Sequence, residues 1–335
     1  MKMSKDNARI LPQITVMNAF LCLFVIMIHL TFSPLLELTA KSVPHIAIFA
    51  VNKSLCFCVP AFIFLSGFKL FESYKERPLA VNPFFKRRFK KIIIPYIIAV
   101  LIYILYFGVK GWLEDGIFKS LFLGTVSAHF YYIVVLIQLY LIFPLIFRLF
   151  SRHSRSLLAA SAVITLFCVI FLNFGYWDRF FGAYIFYFVF GMFWAKYDLY
   201  RIFRENLRRI SVIYILLLLI HISKLYMSEY GGWGYRAFPV INMLYVIFAI
   251  IVLYAVSEEY LSKKHFITAL SGLIGRYSYS IYLYHCLGIF ILKYDILPKF
   301  SLSVKGRFFI TTAVIYSLIA VLCAYSYLSK RRTRL

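Results

Sequence analysis

The sequence predicts an all-α fold, a polytopic bundle of about ten transmembrane helices with both termini on the cytoplasmic side. Three observations predict it. Of the 335 residues, 63% are hydrophobic, against roughly 45–50% in a soluble domain. A water-soluble chain of this length has no interior large enough to hide that much apolar surface, so lipid must solvate part of it. The apolar residues also gather into runs close to the roughly 20 residues a helix needs to cross the hydrocarbon core. Finally, the basic residues favour alternate loops, the bias that sets orientation in a membrane.

The spans fall near residues 11–33, 44–70, 91–108, 128–150, 157–173, 183–200, 211–228, 239–256, 277–295 and 309–329. Thr31, Phe32, Ser33 and Pro34 close the first run without a small-residue cleavage pattern, so it reads as a span rather than a cleavable signal peptide. With residue 1 inside, the inner segments carry most of the 37 Lys and Arg. They include Lys86, Arg87, Arg88, Lys90 and Lys91 in one loop and Arg204, Arg208 and Arg209 in another. Lys330, Arg331, Arg332 and Arg334 follow in the tail. Tyr and Phe, 27 and 36 in number, suit aromatic belts at the two interfaces. No 20-to-50-residue repeat or linker divides the chain, so residues 1–335 are expected to form one domain.

The net charge of +24 does not point to nucleic acid, because it sits on short loops of a membrane protein rather than on one soluble face. Two readings remain for it: topology with attraction to anionic membrane lipids, or a cradle at residues 86–91 for a phosphorylated cytoplasmic substrate. The six cysteines all lie inside apolar runs and read as small packing residues, with neither a disulfide framework nor a metal site expected.

None of the 13 acidic residues lies in the middle of a span, where proton-driven transporters usually place one. Histidines do: His29, His129, His221 and His285 lie in spans or at their ends. In the first span Asn18 and His29 are eleven residues apart. That returns to within about 20° of one helix face, roughly 16 Å along the axis. Asn18, Cys22 and His29 thus form a polar stripe in an apolar helix. A neutral imidazole near pH 7 can take a proton from a hydroxyl and return it; it can also serve only as a hydrogen-bonding bridge between helices. In the ninth span Ser278, Tyr282 and His285 share a face, as a polar seam or as part of a site. Lys53, a lysine inside a span, is a functional candidate unless it snorkels to the outer face.

In order along the chain, these residues resemble the membrane acyltransferase 3 family. The resemblance runs from the His29 helix through VPxFxxxSG (59–67) to the basic FFKRRFKKIIIPY (84–96). It continues with HFYY (129–132), Gln138-Leu139-Tyr140, Pro144 and Phe190-Gly191, and ends in GxxSYxIYLxH (275–285), the most specific of these motifs. It implies a bacterial inner-membrane enzyme that moves acetyl or succinyl groups from cytoplasmic acyl-coenzyme A to a hydroxyl of a glycan or lipid-linked glycan, of the exopolysaccharide type. Acyl-coenzyme A would be co-substrate, with no resident cofactor or metal. His29 would be the catalytic base, with Ser278, Tyr282, His285 and His129 on the acceptor side. The donor would lie against Asn18, Lys53, Arg87, Arg88 and Lys91. The family carries Arg where this chain has Asn18, so either another cation, Arg88 or Lys53, replaces it or the activity is altered. The rival expectation is a non-catalytic permease or exporter of polysaccharide, against which the missing midplane carboxylate and inverted repeat count.

Overall fold

A computed structural model describes residues 12–232, 239–262 and 266–332. Arg334 of the predicted basic tail lies outside the described residues, as does residue 11 of the first predicted span. Among the described residues the chain is helical and forms no strand. In chain order the helices are α1 (Pro12–Glu37), α2 (Val43–Ser54), α3 (Cys58–Tyr74), α4 (Val81–Arg88), α5 (Ile94–Val109), α6 (Ile117–Leu123) and α7 (Tyr131–Phe171). They continue as α8 (Ile185–Tyr197), α9 (Leu199–Phe203), α10 (Leu207–Tyr230), α11 (Pro239–Ser262), α12 (Phe266–Ile291) and α13 (Val304–Arg332).

Among the described residues eight helical segments are long and apolar enough to cross a membrane, and the 13-residue α8 is a shorter apolar helix. The protein is a multi-pass membrane protein. Ile98, Leu101 and Leu105 of α5 and Ile215, Leu216 and Leu219 of α10 point out of the fold. Such faces are unfavourable in water and suit hydrocarbon.

Three predicted spans differ in detail. The second is interrupted at Leu55–Phe57, separating α2 from α3. Ser42 caps the start of α2 by accepting from the His45 amide, and Pro44 fits the first turn, where no amide donor is needed. The fourth and fifth predicted spans meet without a loop inside α7, where His153 has non-helical angles (φ −134°, ψ 51°). The cluster Ser151–Ser156 looks like a connecting loop because it is polar, yet one residue absorbs the change of direction.

The described residues fold as two compact units, one within 59–202 and one from the separated stretches 12–58 and 203–332. In the first unit the core is aromatic, with Phe64, Phe143, Phe150, Phe188 and Trp194 fully buried. Here α3 and α8 approach at glycines. A Cβ on Gly67 would strike the Phe188 carbonyl, and one on Gly191 would strike the Phe64 carbonyl. The two Gly-containing motifs of the sequence therefore form one reciprocal contact in which each glycine lets the other helix's backbone in.

In the second unit α1 packs along α12. Gly275 lies on the backbone of Thr15, again too close for a Cβ. Further along, the Cys22 thiol faces the Ser278 carbonyl at 3.9 Å and the His29 ring faces His285. Since rising numbers on one helix meet rising numbers on the other, the two run parallel. α13 completes this side, with the Tyr316 hydroxyl donating to the Leu23 carbonyl at 2.9 Å.

Candidate active site

Parallel packing of α1 and α12 brings His29 and His285 together. Their ring centroids are 5.1 Å apart and the planes are tilted by 57°. His285 is buried, and its Nδ1 lies 2.8 Å from the Tyr282 carbonyl. A carbonyl only accepts, so this nitrogen carries the proton and the neutral ring keeps a bare Nε2. The Cys286 thiol is 3.3 Å from that Nε2 and can donate to it. One atom each from His29, His285 and Cys286 lies within 4.8 Å of the others. Two imidazoles and a thiol make a donor set that a soft divalent cation could use.

The backbone around His29 is fastened by groups of the same unit. Asn52 on α2 donates through Nδ2 to the Ile28 carbonyl at 2.9 Å and to the Thr31 hydroxyl at 2.8 Å. Thr31 in turn donates to the Met27 carbonyl at 2.7 Å. Each buried donor is matched to an acceptor within a turn of His29, which limits how the histidine can shift.

Two cavities meet this pair of rings. One, of about 240 Å³, is lined by His29 with Ser33, Glu37, Lys293, Arg307 and Thr311 among its polar walls. The other, of about 260 Å³, lies between α12 and α13 against His285, and its walls include Ile281, Gly288, Ile315, Leu318 and Leu322. The histidines thus stand beside one cavity with a charged wall and one that is largely apolar.

The other predicted residues of this unit vary in their engagement. Tyr282 is buried, its ring centroid 5.8 Å from that of His285. Ser278 donates to the Gly275 carbonyl of its own helix at 3.0 Å. Asn18 is buried on α1, on the same side as Cys22. Lys53 pairs with Glu229 at 3.3 Å and lies over the Phe49 ring at 5.1 Å. Nearby, buried Lys224 and His221 share Asn242 Oδ1, at 2.5 and 3.1 Å.

In the first unit, Lys86, Lys90 and Lys91 carry the cationic stretch, the last two exposed within a π-helical turn, Phe89–Ile93. Arg87 is partly covered and donates to the Pro83 carbonyl. Arg88 turns inward. Its guanidinium lies over the rings of Tyr140 (5.0 Å) and Phe84 (5.4 Å), and its Nε is buried with no hydrogen-bond partner among the described residues. His129 is buried in the 3-10 turn just before α7, with its Nδ1 3.0 Å from the Ser127 hydroxyl.

The family model for an acyltransferase domain matches residues 11–328, nearly the whole chain and both units. The chain belongs to the acyltransferase 3 family. No curated protein and no solved structure matches it. In this membrane acyltransferase several motif residues hold the fold. Gln138 spans a loop, donating to the Arg179 carbonyl at 2.8 Å and accepting from the Phe181 amide at 3.0 Å. The Tyr140 and Ser66 hydroxyls meet at 2.7 Å.

Sequence reasoning missed Asn52 as a support for His29, Cys286 beside His285, and His45, whose Nε2 lies 2.9 Å from the Tyr230 hydroxyl. Asn52 could have been found as an amide inside an apolar run. Cys286 was indistinguishable from the other packing cysteines.

Proposed function

We propose that this acyltransferase moves an acyl group, acetyl or succinyl, from cytoplasmic acyl-coenzyme A to a hydroxyl of a cell-surface glycan or its lipid-linked precursor, in a bacterial plasma membrane. The single observation that carries the reading is the pairing of His29 with His285 at the edge of the cavity beside α1. His29 takes the proton of the acceptor hydroxyl as its oxygen attacks the thioester carbonyl. The tetrahedral centre then collapses with cleavage of the carbon–sulfur bond, and the proton passes from His29 to the departing thiolate of coenzyme A. His285, held by the Tyr282 carbonyl, keeps the His29 ring in position. No carboxylate in the middle of a span offers another base.

Arg88 with Arg87, Lys90 and Lys91 is the proposed seat of the donor's phosphates, since guanidinium and ammonium groups are the usual phosphate partners. The buried, unpartnered Nε of Arg88 supports that assignment, because a buried donor without an acceptor is costly unless a ligand supplies one. Lys53 is already paired with Glu229 and is the weaker substitute for the arginine that the family carries at the position of Asn18.

The test has two arms. Purified protein in nanodiscs is given acetyl- or succinyl-coenzyme A and lipid-linked glycan, and free coenzyme A and acyl ester are measured. Surface polysaccharide from cells with and without the intact gene is compared by mass spectrometry. Equal ester content in both strains, together with no coenzyme A release, would reject the proposal.

A further inference from the structure

We propose that the cavity beside His29 recognises an anion, with Lys293 as its principal ligand and Arg307 as its support, so that the substrate presented to His29 carries a carboxylate or a phosphate. The inference deepens the reading of His29 given above and rests on it for the identification of the ligand as a substrate.

Three charged groups line the cavity: Glu37 at the end of α1, Lys293 in the turn after α12, and Arg307 in the first turn of α13. Glu37 is engaged twice, accepting from the Ser33 hydroxyl and from Arg307 Nη2. Arg307 Nη1 is directed to the Leu302 carbonyl at 3.0 Å. Thr311 spends its hydroxyl hydrogen on the Arg307 carbonyl at 2.7 Å. Lys293 differs. Its ammonium lies over the Tyr294 ring at 5.0 Å, and it acts on Glu37 as a charge across the cavity without forming an ion pair within 4 Å among the described residues.

The charged wall therefore carries one positive charge more than it neutralises, and Lys293 brings three donors and no acceptor. Next to Leu30, Ile289 and Phe308 the surroundings are apolar, where the excess positive charge of Lys293 and Arg307 over Glu37 attracts an anion more strongly than in water. The geometry also fixes the direction of approach. Glu37 lies eight residues beyond His29, and Lys293 eight beyond His285. On parallel helices this puts the charged groups on one side of the histidine pair, about 12 Å along the axis. Asn18 lies on the opposite side. A cavity of about 240 Å³ has room for one sugar-sized or short acyl group between anion and imidazole.

Carboxylate and phosphate share this chemistry, and the experiment separates them. Thermal unfolding of the purified full chain in nanodiscs is followed with succinate, methyl phosphate or neutral succinamide, at constant ionic strength. A saturable rise in Tm is expected with at least one anion and not with succinamide. Succinate alone would name a carboxylate on the acyl group, and methyl phosphate alone a phosphate on the acceptor. Lys293→Gln should weaken the effect at least tenfold, and Lys293→Arg should retain it. A measurement on the unaltered sequence covers a variant that fails to fold: the bound anion should protect Lys293 from amine acetylation, read by peptide mass spectrometry. Equal shifts with succinamide, an undiminished effect in Lys293→Gln, or no protection of Lys293 would overturn the proposal. Anion binding without acyl transfer would instead sink the function proposed above and leave the anion site standing.

Discussion

His285 shares its Nδ1 proton between the carbonyls of Tyr282 (2.8 Å) and Ile281 (3.2 Å) one turn earlier, and in the neutral ring this leaves Nε2 as the bare nitrogen. The two amide substitutions separate the roles of the nitrogens. His285→Asn can keep the donor to Tyr282 and loses the group at Nε2, whereas His285→Gln does the reverse. If His285 positions His29 through its bare nitrogen, Gln retains more activity than Asn, with kcat reduced and the KM of the donor unchanged. Better activity in the Asn variant would show that only the helix-side bond matters.

His29→Gln keeps hydrogen-bonding capacity and removes the base. General-base assistance is worth about 10²–10⁴ in rate. The variant should therefore insert and bind donor normally while acyl transfer falls by about that factor. Near-normal acylation of polysaccharide by this variant would leave His29 a packing residue.

Gly275 admits the Thr15 backbone, and a methyl there would meet the Thr15 carbonyl. Overpacking of this kind costs about 1–3 kcal/mol. Gly275→Ala should lower the Tm in detergent and reduce activity together, because the same contact sets the register that brings His285 to His29. Gly272→Ala, on the same helix with nothing within 4 Å of its added Cβ, is the control and should change neither.

How much of this was legible in the sequence varies by residue. The apolar runs revealed the helices, because burial in lipid leaves a one-dimensional record in hydropathy. The joint at His153 did not show, since a polar stretch looks the same whether it forms a loop or one bent residue. Helical spacing placed Asn18, Cys22 and His29 on one face and Ser278, Tyr282 and His285 on another. It could not reveal that the faces pack in parallel, because that depends on a contact at Gly275 far away in sequence. The charged cavity was invisible for the same reason: Glu37, Lys293 and Arg307 belong to three separate helix ends.

Arg88 gives the prediction for the donor. Its Nε is buried and unpartnered, whereas Lys90 and Lys91 beside it are exposed. Arg88→Gln should raise the dissociation constant of acyl-coenzyme A more than Lys91→Gln does, by about tenfold, the factor for roughly 1.4 kcal/mol. Binding of a fluorescent coenzyme A analogue to purified protein measures both. Equal, small effects would mean that the stretch serves topology alone.

Orientation follows from the basic loops. Reporter fusions after Arg88 and after Arg209 should behave as cytoplasmic, and one after Gly232 as external. Opposite labelling at two of the three sites would reverse the assignment.

The unit that holds the histidine pair is assembled from two separated stretches of the chain, with Val59–Ile202 made in between. At synthesis rates of about 5–20 residues per second, α1 leaves the ribosome on the order of ten seconds or more before α12 exists. During that interval the Cys22 thiol and the His29 imidazole have no α12 to face. A chain stalled before α12 therefore lacks the His29–His285 pair, and on the function proposed above it should be inactive in acyl transfer.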